Sequence, residues 1–228
     1  MQLTLDQHRI NQVAAVVHND IAQNLDVSCT GIDFDFHNIA NLDRLYAAGV
    51  RMAGLAHFFD NDIAGSMHGV KKGGLTPLGR QVVRRMEAMG MVVDIAHASH
   101  AAVAEVIKIA HRPIVSSHGG VQATCPVNRN LSDEQIRAVA MNGGIIGVGY
   151  WEGAVCDTSP RAGAKAMKHI RDLVGIEHVA LGSDYDGATT VRFDTSQLVQ
   201  VTQALLLKRS APRLPSPFFN ASLTRAST

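Results

Sequence analysis

MVVDIAH (91–97), SHAAVAEVIKIAH (99–111) and PIVSSH (113–118) follow one another with almost nothing between them. The first and third are short, apolar and rich in β-branched residues. The middle one opens at a Ser cap, Ser99, and carries apolar residues at helical spacing. Strand, helix and strand in so few residues require a crossover, so the two strands run parallel. The pattern repeats outward in both directions. Upstream, GVRMAGLAH (49–57) precedes TPLGRQVVRRMEAMG (76–90), whose Thr76-Pro77 start and Gly90 end are helix boundary signals. Downstream come SDEQIRAVAMNGG (132–144), GGIIGVGYW (143–151), RAGAKAMKHIRDLVG (161–175) and HVALGSDYDG (178–187). The strands read as continuous apolar runs, as expected when both faces are covered. This predicts an α/β fold, either a barrel or an open doubly wound sheet. Neither GxGxxG nor GxxxxGK[ST] follows any strand, so nucleotide binding finds no support.

The flanks differ from this core. Residues 1–30 offer a short helix over 6–17 and a strand at DVSCTGI. After Leu207 the chain reads KRSAPRLPSPFFNASLTRAST, with three prolines and no acid, which predicts a disordered tail over 208–228. The expected division is therefore 1–30, a domain over 31–207, and the tail. With 21 basic and 20 acidic residues the net charge is +1, which gives no field to attract nucleic acid or an anionic membrane. No apolar run approaches the ~20 residues that span a bilayer, and MQLTLDQHRI lacks the pattern of a signal peptide. Three scattered cysteines (Cys29, Cys125, Cys156) argue against a disulfide framework, so reduced thiols and a cytoplasmic location are expected. Histidine is abundant, at 11 residues, whereas the first glutamate is Glu87.

In parallel α/β folds, ligands gather at the carboxyl ends of strands. His57, His97, His118 and Asp184 each end an expected strand. His97 and His118 are one strand-helix-strand step apart, and neighbouring strands lie about 4.8 Å apart. Two imidazoles so placed can share one metal ion, although a lone histidine at a strand end is as readily a hydrogen-bonded structural residue. Asp184, in GSDYDG, reads as a metal ligand, a proton acceptor or a turn former; Asp186, before Gly187, is the better turn residue. Arg129, in PVNRN, reads as a carboxylate clamp or as a solvated loop arginine.

LTPLGRQVVRRMEAMGMVVDIAHAS (75–99), PIVSSHGGVQATCPVNRNLSDEQ (113–135), VALGSDYDG (179–187) and GVRMAGLAHFFDNDIAGS (49–66) together resemble the membrane dipeptidase (renal dipeptidase) family of zinc peptidases, family M19, in its bacterial branch. The resemblance covers residues 38 to about 206. It implies a (β/α)8 barrel of TIM type whose two zinc ions, bridged by a glutamate and a water or hydroxide, cleave dipeptides. Carried over by motif, His97 and His118 match two ligands of one zinc, and His57 matches a histidine that contacts the substrate. Arg129 matches the arginine that holds the substrate carboxylate, and Asp184 the aspartate that transfers a proton.

This chain departs from the family pattern at its start. The bridging glutamate falls on Thr30, with only Asp33 and Asp35 nearby, and the family's His-x-Asp is matched in letters by His18-Asn19-Asp20. The match supplies the third to eighth barrel strands, so an incomplete barrel, altered or truncated at both ends, is expected. Exposed strand edges in such a barrel predict self-association into a homo-oligomer. The function expected is a zinc-dependent dipeptidase. The competing readings are a catalytically silent remnant with one His-His metal site, and a non-peptidase metal-dependent amidohydrolase.

Overall fold

Capping residues mark where the chain turns into helix. A computed structural model describes residues 39–185 and 189–207. The chain enters as helix α1 (Asn41–Ala47), then runs through strand β1 (Met52–Gly54), α2 (Pro77–Met89), β2 (Val92–Asp94), α3 (His100–Ile109), β3 (Val115–Ser116) and α4 (Asp133–Met141). It continues through β4 (Ile145–Val148), a one-turn helix α5 (Glu152–Val155), α6 (Pro160–Val174), β5 (Val179–Leu181) and α7 (Val199–Leu206). Thr76 caps α2 by accepting the Gly79 N–H at 3.0 Å, and Gly90 ends it in the left-handed region at φ 78°. Ser99 caps α3 in the same way, Ser132 and Gln135 form a reciprocal capping box on α4, and Ser159-Pro160 opens α6. The sequence places the start of α6 at Arg161; the Ser-Pro pair just before it is the actual start.

All five strands pair in parallel, in the order β1-β2-β3-β4-β5. That order decides between the two architectures left open by sequence. A doubly wound sheet reverses direction at a switch point, whereas a barrel adds each strand beside the last. The described strands form an arc of a TIM-type barrel. The third barrel strand expected at DVSCTGI, the helix over 6–17 and the tail over 208–228 lie outside the described residues.

Helices cover one face of this arc. Gly79, Val82, Val83 and Met86 repeat at i, i+3, i+4 and i+7 along α2, and all four are buried. They join Val93 and Ile95 around β2, Val103 and Val106 of α3, Ile136 and Val139 of α4, and Met167 and Ile170 of α6 in one apolar core. Removing an Ile or Met from such a core to Ala typically costs about 2–5 kcal/mol. β3, β4 and β5 approach closely because Gly147 has no side chain: a Cβ there would lie 2.1 Å from the Ser117 carbonyl oxygen. Among the described residues no helix is long and apolar enough to cross a membrane.

The cysteines correct the sequence expectation. Cys125 and Cys156 form a disulfide, with their Cα atoms 5.4 Å apart. Their separation of 31 residues hides the proximity, because each lies in a loop beyond the carboxyl end of one of two neighbouring strands, β3 and β4. Cys29 lies outside the described residues.

Candidate metal centre

Four side chains singled out by sequence stand just beyond strand ends. His57 follows β1, His97 follows β2, His118 follows β3 and Asp184 follows β5. Two of them sit in unusual backbone: His97 has φ 63° and Asp184 has φ 60°. A non-glycine residue in the left-handed region costs of order 1 kcal/mol and persists where surrounding contacts fix it. Around His97 those contacts are explicit. Its carbonyl accepts the Met67 N–H at 2.9 Å, and Ser66 bridges to Ala98. The intervening loop from 58 to 75 is itself held by Asp60, whose carboxylate accepts backbone N–H groups of Ser66, Lys71 and Lys72. Those bonds hold the Asp60 carboxyl below its ordinary range.

His97 and His118 meet. Their Nε2 atoms are 2.8 Å apart, and the side chains are only 7% and 6% exposed. Burial, reinforced by the nearby Arg129 cation, pushes His118 down to about 3 and drives His97 further below its usual value. Both rings are therefore neutral at pH 7, the form in which imidazole binds a metal. His118 Nδ1 lies 2.8 Å from Ser117 Oγ, which in turn lies 2.5 Å from the buried Asp94 carboxylate. His97 Nδ1 is buried without a hydrogen-bond partner among the described residues. At that distance one ring donates an Nε2–H to the Nε2 lone pair of the other, and the same two nitrogens are the atoms that could turn to a shared metal ion.

Arg129 is not a solvated loop residue. It is 7% exposed, donates from Nη2 to the His118 carbonyl at 2.8 Å, and lies 5.6 Å over the Trp151 ring. Burial lowers it to about 10, against the support of the Asp184 and Asp94 charges. Asp184 Oδ1 is 3.9 Å from His118 Nε2. The His57 ring packs edge-on to His97 with centroids 4.5 Å apart. The five sequence candidates thus form one cluster.

The sequence reading passes over four neighbours. His68 lies 5.5 Å from His97 ring to ring, and Trp151 lies 5.8 Å from His118. Asp94 and Ser117 stand behind the histidines. The histidine excess was the available signal for His68, and an Asp inside an apolar strand run the signal for Asp94. Beside Trp151 opens a cavity of about 710 Å³, lined also by Glu152, Asp157, Thr189, Thr190 and Arg192.

The converging histidines fit the nitrogen half of a metal site. At the usual Zn–N distance a tetrahedral pair of ligands stands about 3.3 Å apart, so a small outward rotation of the rings would admit an ion. No group of three or more His, Cys, Asp or Glu is poised to hold a metal among the described residues. Thr30, on which the family's bridging glutamate falls, and His18 and Asp20, which match the family's His-x-Asp in letters, lie outside them.

The family model for membrane dipeptidase (peptidase family M19) matches residues 17–212. The chain belongs to the M19 family. It is 35% identical over 156 residues to dipeptidase AclJ of Aspergillus oryzae, covering 65% of this chain and 37% of that protein. It is 33% identical over 183 residues to dipeptidase VerJ of Clonostachys rogersoniana, covering 76% and 47%. Among solved structures, this M19 chain superposes on the probable dipeptidase PvdM of Pseudomonas aeruginosa with a TM-score of 0.70 and 24% identity, over 77% of this chain and 61% of that one. A metallopeptidase from Rhodobacter sphaeroides, liganded with a phosphinate mimic of L-Ala-D-Ala, matches with a TM-score of 0.56 and 24% identity, over 72% and 49%. The chain spans 37–47% of the length of these two curated relatives. The family match begins at residue 17, so it takes in the His18-Asn19-Asp20 motif.

Proposed function

We propose that the chain is a zinc-dependent dipeptidase, with His97 and His118 as metal ligands. The observation that carries this reading is the pair of neutral, buried Nε2 atoms facing each other at adjacent strand ends. A zinc ion held there would act as a Lewis acid toward the scissile carbonyl and lower the pKa of the attacking water. The chain's own residues do the rest. Arg129, held by the His118 carbonyl, binds the substrate's terminal carboxylate from one side of the site. Asp184 accepts the proton of the attacking water and returns it to the leaving amine. His57 contacts the substrate beside the reacting carbon. The dipeptide mimic carried by the Rhodobacter sphaeroides neighbour makes L-Ala-D-Ala a suitable first substrate.

A second reading is a single-metal remnant without turnover. It is favoured by the neutral Thr30 at the position of the bridging glutamate, since a threonine hydroxyl cannot bridge two cations. Zinc per chain and dipeptide turnover decide between the two. About two zinc ions and hydrolysis lost in His97→Ala support the dipeptidase; one zinc or fewer without turnover supports the remnant. The same proposal includes self-association through β1 and β5, the outermost described strands, which light scattering of the purified chain tests. A cytoplasmic location would require the Cys125–Cys156 pair to stay reduced in the cell, and thiol counting on freshly isolated protein reads this directly.

A further inference from the structure

Asp94 is the last residue of β2 and is 3% exposed. Its Oδ1 accepts the backbone N–H groups of Ala96 at 2.9 Å and Ser117 at 3.0 Å, and its Oδ2 accepts the Ser117 hydroxyl at 2.5 Å. Burial raises the Asp94 carboxyl, and the three donors that converge on it oppose that rise and hold it as an acceptor. The Ser117 hydroxyl has one proton, and the carboxylate takes it. Toward His118 Nδ1, 2.8 Å away, Ser117 Oγ is left with lone pairs only. The imidazole must therefore carry its proton on Nδ1, which leaves Nε2 unprotonated and directed at His97.

We infer that Asp94, acting through Ser117, is a positioning group that fixes His118 as the Nδ1–H tautomer with its Nε2 lone pair presented to the site. The role in metal binding rests on the reading given above, whereas the tautomer does not. Asp94 and Ser117 touch neither substrate nor metal in this arrangement. They act through the ring they hold, as the outer hydrogen-bond partners of metal-binding histidines commonly do. The device also ties β2 to β3 at their carboxyl ends, so the orientation of His118 is set by the same bonds that set the spacing of the two strands.

The test is long-range ¹H–¹⁵N NMR of histidine-labelled protein at neutral pH without added metal, with His118→Ala used for assignment. The wild-type chain is expected to show His118 protonated on Nδ1. Ser117→Ala should shift it to the Nε2–H form or a mixture, and Ser117→Thr should restore Nδ1–H. Asp94→Asn serves as the isosteric probe of the carboxylate. His118 protonated on Nε2 in the wild type, or an unchanged Nδ1–H in a folded Ser117→Ala, overturns the inference. A parallel zinc titration against a chromophoric chelator separates the two claims. Weakening of about 10–100-fold in Ser117→Ala, recovered in Ser117→Thr, supports both. Wild-type protein that shows the expected tautomer and takes up no zinc supports the positioning role and sinks the metal reading.

Discussion

Breaking the Cys125–Cys156 disulfide tests how the site is built as well as how stable it is. The bridge joins the loop that carries Arg129 and Asn130 to the turn that follows Trp151 and α5. Its separation of 31 residues sets the magnitude. Loop-closure entropy for a ring of that size corresponds to about 3.7 kcal/mol at 25 °C, lost when the cross-link is removed from the unfolded chain. A second set of contacts survives reduction: the Asn130 amide donates to the Cys125 carbonyl at 2.8 Å and to the Ala154 carbonyl at 2.9 Å. The two loops should therefore stay together in the reduced native state, and the loss should fall mainly on the unfolded side. The assay is urea unfolding followed by far-UV circular dichroism, with the oxidised chain, the chain in excess reductant, and Cys125→Ala/Cys156→Ala. The expected result is a fall in unfolding free energy of about 3–4 kcal/mol on reduction, with an unchanged native spectrum. A change under about 1 kcal/mol would refute the reasoning, because the bridge would then either not form or not constrain the unfolded ensemble.

Two further outcomes follow from the site. Arg129→Met should raise KM for dipeptides by about 10–100-fold, the worth of one hydrogen bond to a charged group, and leave hydrolysis of carboxyl-amidated dipeptides nearly unchanged; equal losses on both substrates would dissociate Arg129 from the carboxylate. In the metal-free chain, His118 binds a proton near pH 6.5 when unfolded but only near pH 3 when folded, so the unfolded state holds more protons between those values. Stability should be fully present above about pH 6.5 and fall on acidification toward pH 3 at up to about 1.4 kcal/mol per pH unit from this group, with His97 adding in the same direction. Chemical denaturation at stepped pH reads the slope, and a flat profile from pH 7 to 4.5 would contradict the burial of neutral histidines.

What sequence made legible was local and periodic. Thr76-Pro77, Ser99 and Ser132 announce helix starts because a hydroxyl must meet orphan N–H groups there, and all three do so. The five apolar runs announce strands because strands of a parallel sheet are covered by helices and carry few polar residues. His57, His97, His118, Arg129 and Asp184 come together because successive parallel strands deliver their carboxyl ends to one place, which spacing alone can express. The disulfide was not legible, since two loops on neighbouring strands touch across a helix and a strand that sequence separation counts in full. Asp94 and Ser117 escaped for a related reason. Asp94 reads as one polar letter in an apolar run and Ser117 as the second of two serines before His118, and only the pairing of β2 with β3 places them in one hydrogen-bonded chain.

That chain explains a tension in the site. Arg129 sits beside two histidines that must stay neutral, and its charge lowers both of them while the Asp94 and Asp184 carboxylates sustain it. Asp184 is the larger and Asp94 the smaller of the two carboxylate supports for Arg129, and burial raises Asp94 above its ordinary range while its hydrogen bonds from Ser117 and Ala96 oppose that rise. Asp94 thus serves two neighbours at once: through Ser117 it holds the His118 ring, and through space it supports the Arg129 guanidinium, the group proposed to bind the substrate carboxylate. An aspartate at a buried strand end is costly unless satisfied, and the hydrogen bonds that satisfy Asp94 also hold the Ser117 hydroxyl against His118 in the candidate metal centre.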